Sequence, residues 1–187
     1  MLVSVEELLF HSAMKRLLPL FLAVAFSMAA ACVNPTYNVR PKMDRMPWPE
    51  EEYSKLNIDG DCEITGQAFL RTRGGDVKTA AGSEVILSPV TSYSRQFVEI
   101  VIQQARQGVD LAPADGRVFK YIKKTNAGVS GDFRFKNVAE GDYYLYTTVT
   151  WEALNPYGQD LSRQGGWVYR KVTVKSGGEN HFIVTGQ

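Results

Sequence analysis

Histidine and cysteine most often carry nucleophilic or metal chemistry near neutral pH, and the sequence holds two of each: His11, His181, Cys32 and Cys62. His11 falls in a segment that a cleaved leader removes, so a zinc site or a Ser-His-Asp triad would rest on His181 alone. His181 alternates with Phe182 in a strand-like run, which reads as a surface histidine. In "NIDGDCE", Asn57, Asp59 and Asp61 stand at alternate positions, as in a calcium loop. The glycine and closing glutamate such a loop needs are replaced by Cys62 and Ala68, so the stretch reads as a turn. "RGGD", "QGGW" and "SGGE" are turn doublets rather than phosphate loops, and Asp110, Asp115, Asp132 and Asp142 have no spacing that pairs them for acid/base work. No catalytic residue, metal or cofactor is expected. The aromatics remain: Trp151, Tyr157 and Trp167, with Tyr169, border "EALNPYGQDLSRQGG" and are candidates for stacking on a sugar or peptide. Trp167 and Tyr169 also show the alternation of core residues.

The charges, 21 basic against 20 acidic for a net +1, give no field that would select nucleic acid. The N-terminus is more informative. Lys15 and Arg16 precede the uncharged run "LLPLFLAVAFSMAAAC", too short to span a membrane with tolerance and ending in small residues. Residues 1–31 therefore read as a signal peptide, with Met14 the natural start. Ala30-Ala31-Cys32 resembles a bacterial lipobox, which implies acylation of Cys32, a membrane anchor and an outer-membrane location facing the periplasm or the cell surface. A soluble periplasmic or secreted form, with Cys32 free to bridge to Cys62, is the alternative. A disulfide of that loop length would contribute about 3 kcal/mol.

Residues 32–61 hold four of the eight prolines, Pro35, Pro41, Pro47 and Pro49, among charges with no period. Proline removes amide donors, so this stretch reads as an extended tether. Two states stay open for "MPWPEEEY": docked on the domain through Trp48 and Tyr53, or free.

From Cys62 onward the pattern has period two. "CEITGQAFL", "SEVILSP", "RVFKYIKKT", "GDFRFKNV", "GDYYLYTTVTWE", "GGWVYRKVTVK" and "NHFIVT" predict seven strands divided by turn residues. One amphipathic insert, "SYSRQFVEIVIQQARQG", predicts a helix closing an open end of the sheets. With no helix between most strands, an all-β antiparallel sandwich is expected for residues 62–187. Five aromatics lie between Phe133 and Tyr146; alternation predicts a hairpin with Phe133, Phe135, Tyr143 and Leu145 inward and a Tyr/Thr row on the other face.

Ile64-Thr65-Gly66, Val85 to Pro89, and then Gly131, Phe133, Phe135, Val138, Gly141 and Tyr143 or Tyr144 together resemble the carboxypeptidase regulatory-like domain. That resemblance implies a seven-stranded Greek-key sandwich of transthyretin type, here with one short helical insert. Its motif residues are turn glycines and core aromatics, so it implies a binding or structural module, with a glycan or an envelope protein as partner, and brings no catalytic residue.

Overall fold

The computed structural model describes residues 40–105, 108–155, 158 and 160–186. The segment expected to be a leader, residues 1–31, lies outside the described residues, as do Cys32 and Tyr157. The chain is an all-β sandwich. One sheet is centred on β2 (Cys62–Arg71), and the other runs β6-β4-β8-β9: β6 (Lys123–Asn126), β4 (Glu84–Pro89), β8 (Gly141–Leu154) and β9 (Leu161–Val174). Along β2, Cys62, Ile64, Gly66 and Ala68 are buried and alternate with more exposed residues, as the period-two pattern requires. One edge of β2 is taken first by β7 (Asp132–Val138) and then by β3 (Val77–Thr79); β10 (His181–Thr185) takes the other. The core joins Ile64, Phe133, Phe135 and Val184 of this sheet to Val85, Leu87, Leu145, Val149 and Val168 of the other.

Three details depart from the sequence expectation. The β2–β10 pair is parallel, which a chain can form without a local crossover because over a hundred residues separate the strands. Arg117 to Lys120 form a 3₁₀ turn in place of a strand, since the Asp115 carboxylate accepts from Arg117 N at 2.9 Å and caps the turn. β7 and β8 do not form a hairpin: β7 pairs with β2 and β8 with β4 and β9, so the chain crosses between sheets after β7. Asn137 (φ 55°) turns the chain there, and the Tyr143 hydroxyl donates to Ala139 O at 3.0 Å. Phe133, Phe135, Tyr143 and Leu145 still face one core, from opposite sheets. Gly66 makes the close approach of β10 possible. A Cβ there would lie 2.1 Å from Phe182 O and 2.5 Å from the Phe133 ring.

The outer face of the second sheet is covered by the helical insert. α1 (Glu50–Tyr53) lies in the preceding segment, and α2 (Ser92–Phe97) continues as a π-helical turn, Val98–Gln103, in which Gln104 N donates to Glu99 O. Thr91 and Ser94 form a reciprocal capping box at its start, of a kind that stabilises a helix by about 1 kcal/mol. Val98 and Ile102, four apart on one face, pack on Tyr144 and Tyr146. The Tyr row that the sequence leaves on the outer face is thereby buried.

The segment before the sandwich takes the docked of the two open states from Arg40 onward. β1 (Lys42–Met43) pairs with β5 (Asp110–Leu111). Tyr53 is fully buried, stacked 4.0 Å from Trp48, and its hydroxyl accepts from Thr91 Oγ1 at 3.0 Å. Glu52 accepts from Ser92 N and Oγ at 2.7 and 2.5 Å, and these bonds hold its carboxyl below the usual range. The Arg117 guanidinium lies 5.0 Å from the Trp48 ring.

Candidate functional site

β8 and β9 stay paired through fourteen residue pairs, from Gly141↔Val174 to Leu154↔Leu161, so most of the stretch expected as a long loop is two-stranded ribbon. Register then decides which aromatics can meet. Trp167 lies opposite Thr148, on the outer face with Tyr144, Tyr146 and Tyr169, whereas Trp151 lies opposite Gln164 and shares the parity of Leu145 and Val149. Trp151 and Trp167 therefore occupy opposite faces of the ribbon, and no single surface presents both. Trp151 packs near Gly165 (φ 98°), where a Cβ would lie 2.9 Å from its ring and 2.0 Å from Val149 O.

Trp167 lies on the outer face of β9, where it lines more than one cavity. Its ring is held edge-on by Phe97 and Tyr146, both 6.0 Å away, and it remains half-buried. One groove of about 660 Å³ runs past it, lined by Tyr169, Gln103, Gly165, Gly166, Leu70 and Thr185. Two residues along β9 place Trp167 and Tyr169 side by side, and the π-helical turn carries Gln103 over them. Gln103 Nε2 donates to Tyr169 Oη at 2.7 Å, which leaves the phenol proton free to donate outward. Gly165 and Gly166 leave the groove wall without side chains, so backbone polar groups are accessible there. Such a surface offers flat aromatic faces, phenol and amide hydrogen-bonding groups, and no strong charge.

The residues weighed for catalysis do not converge. His181 is exposed, with Nδ1 3.0 Å from Thr65 Oγ1. Asp110 pairs with Arg40, Asp132 with Ser130, and Asp142 with Thr173 and Lys171. Hydrogen bonds from Arg117 hold the Asp115 carboxyl at about 2. Asp59 pairs with Lys123 at 2.6 Å, and among the described residues no group of three His, Cys, Asp or Glu side chains is placed to hold a metal. Cys62 is buried and has no disulfide partner among the described residues. Of the candidate ligand residues, Trp167 lines the groove, Trp151 does not, and Tyr157 lies outside the described residues. Gln103 was legible only as part of a helix; nothing local in the sequence marks it as a groove residue.

Among solved structures, the chain is similar to a crystal structure of a "putative carbohydrate binding protein" from Pseudomonas aeruginosa, with a TM-score of 0.69 and 24% identity, covering 76% of this chain and 100% of that one. The two share a fold. At that identity the likeness speaks to fold alone. No family model matches the chain, and no curated protein matches it.

Proposed function

We propose that the protein is a non-catalytic carbohydrate-binding module of the bacterial cell envelope, and that the groove beside Trp167 and Tyr169 is where it binds. The observation that carries this reading is the pairing of two flat aromatic side chains with an adjacent amide, Gln103, over a groove of about 660 Å³. A pyranose has an apolar C–H face that suits the electron-rich face of an indole, and its rim of hydroxyls suits a phenol, an amide and open backbone. The volume falls within the range of clefts that hold small ligands. The solved neighbour's description as a carbohydrate-binding protein supports the same reading. The turn glycines and core aromatics support a transthyretin-like, carboxypeptidase regulatory-like domain. The Ala-Ala-Cys end of the leader supports a lipid anchor at Cys32 on the outer membrane.

The test is calorimetric titration with a panel of neutral and amino-sugar trisaccharides and, as a contrast, extended peptides. Saturable binding of at least one trisaccharide is expected. Gln103→Ala and Tyr169→Phe should weaken it several-fold, and Trp167→Ala, with folding checked by circular dichroism, by roughly 30-fold or more, as for a truncated tryptophan hot spot. Binding of peptides alone, or trisaccharide binding indifferent to all three substitutions, would remove the groove from consideration. Palmitate labelling tests the anchor separately: label is expected on the wild type and absent from Cys32→Ser, and equal labelling of both would exclude it.

A further inference from the structure

A second, smaller cavity lies on the other side of Trp167, between β4, α2 and the 3₁₀ turn, with a volume of about 180 Å³. Its walls are mainly carbon, from Ile86, Phe97, Val118, Ile122 and Trp167. Three polar groups in its lining, the Ser88 and Tyr146 hydroxyls and the half-buried Arg45 guanidinium, keep hydrogen-bonding capacity that no described residue uses. Ser88 is 2% exposed, and its hydroxyl makes no hydrogen bond among the described residues. Tyr146 is 7% exposed, its phenol is likewise unpartnered, and burial raises its pKa. Arg45 donates through Nε to Ala112 O at 2.6 Å and lies over the Tyr93 and Phe97 rings at 5.2 and 5.7 Å, yet no described carboxylate pairs with its guanidinium. Their neighbours in the same lining are satisfied. Ser94 Oγ donates to Pro89 O at 2.7 Å, Tyr93 Oη accepts from Asp115 N at 2.7 Å, and Lys124 pairs with Glu84 at 2.9 Å.

The geometry points to a binding site for a small organic anion with a compact apolar body, an aromatic or branched carboxylate. A water could bond to those three groups, but it would leave the carbon walls that make up most of the lining without contact. A cavity of about 150 Å³ with apolar walls accepts a benzene-sized ring, so the body of such an acid fits. Its carboxylate has about four acceptor positions, which match a guanidinium fork and two hydroxyl donors. One negative charge then balances the unpaired charge of Arg45. Ser88 and Arg45 come from segments more than forty residues apart, and docking of the segment from Arg40 is what brings Arg45 to the cavity. This site stands apart from the glycan reading, with which it shares only the Trp167 ring.

Benzoate is the probe, with benzyl alcohol as its uncharged counterpart, titrated by calorimetry and by tryptophan fluorescence. Benzoate is expected to bind saturably, with a Kd of about 1 mM or tighter, and benzyl alcohol at least tenfold more weakly. Arg45→Gln and, independently, Ser88→Ala should each weaken benzoate by several-fold to tenfold, while Gln103→Ala leaves it unchanged. Because Arg45 also anchors its segment, Ser88→Ala and the comparison of the two probes on the wild type keep the test decisive should Arg45→Gln unfold. Absence of saturation by about 20 mM benzoate, or equal affinity for benzyl alcohol, overturns the proposal.

Discussion

Replacing Tyr53 tests whether the proline-rich segment belongs to the fold. Its side chain is 0% exposed, with ring centroids 4.0 Å from Trp48 and 4.8 Å from Tyr121. Burying an aromatic side chain removes 150–250 Å² from water, about 4–6 kcal/mol at 25 cal/mol per Å², an upper bound. Measured large-to-small substitutions of buried aromatics cost about 3–5 kcal/mol, so Tyr53→Ala is expected in that range. Tyr53→Phe removes only the hydrogen bond from Thr91 Oγ1, whose single proton can turn to Ser94 Oγ at 3.1 Å instead, so a loss of no more than about 1 kcal/mol is expected. The assay is urea unfolding of residues 32–187 carrying Cys32→Ser, followed by tryptophan fluorescence, with the midpoint shift read at unchanged slope. A Tyr53→Ala effect within about 0.5 kcal/mol, the range of exposed substitutions, would mean that the segment is a free tether and that the Arg45 cavity is not formed in solution.

Other outcomes follow from the same contacts. The Trp48 Nε1–H is buried without a partner among the described residues, so Trp48→Phe, which keeps stacking and removes that donor, should cost less than about 1 kcal/mol or stabilise; a loss above about 2 kcal/mol would reveal a partner. Gly66→Ala drives a methyl into Phe182 O and should cost about 3 kcal/mol or more, seen as a large fall in urea midpoint. Glu52 has a lowered pKa in the folded state, so its contribution is present above the unfolded value of 4.5 and is lost as pH falls through the folded one. Glu52→Gln should therefore lower Tm at pH 7, with the difference closing in acid; a difference independent of pH would contradict the Ser92 bonds. Burial raises the pKa of Tyr53, Tyr143 and Tyr146, which stabilises the fold fully below the unfolded value of 10.0 and less as pH climbs above it. Titration of tyrosinate absorbance should show these three ionising above the ordinary tyrosine range.

Local alternation made much of the sandwich readable. The buried Cys62-Ile64-Gly66-Ala68 face and the inward Phe133, Phe135, Tyr143 and Leu145 follow from a period of two, whatever their sheet partners. The pairing of those strands was not readable. β7 and β8 look like a hairpin in sequence, but the crossing between sheets depends on where β2 and β4 stand, which is long-range information. The same limit governs the site. Whether Trp151 and Trp167 share a face depends on the β8–β9 register, and one residue of slip would reverse the answer. Arg45 sits among prolines with no periodic signal, and only its docking against Tyr93 and Phe97 brings it to a cavity. The helix was legible from its spacing, but it was expected at an open end of the sheets, and its place over Tyr144 and Tyr146 on the outer face was not readable.

Amide chemical-shift mapping during titration with a bound trisaccharide tests the glycan groove most directly. Binding there requires the largest shifts at Gly165, Gly166 and the Gln103 side-chain amide, together with the Trp167 indole N–H. Shifts centred instead on the concavity around His181, Thr65 and Arg134, or on none of the described residues, would contradict it.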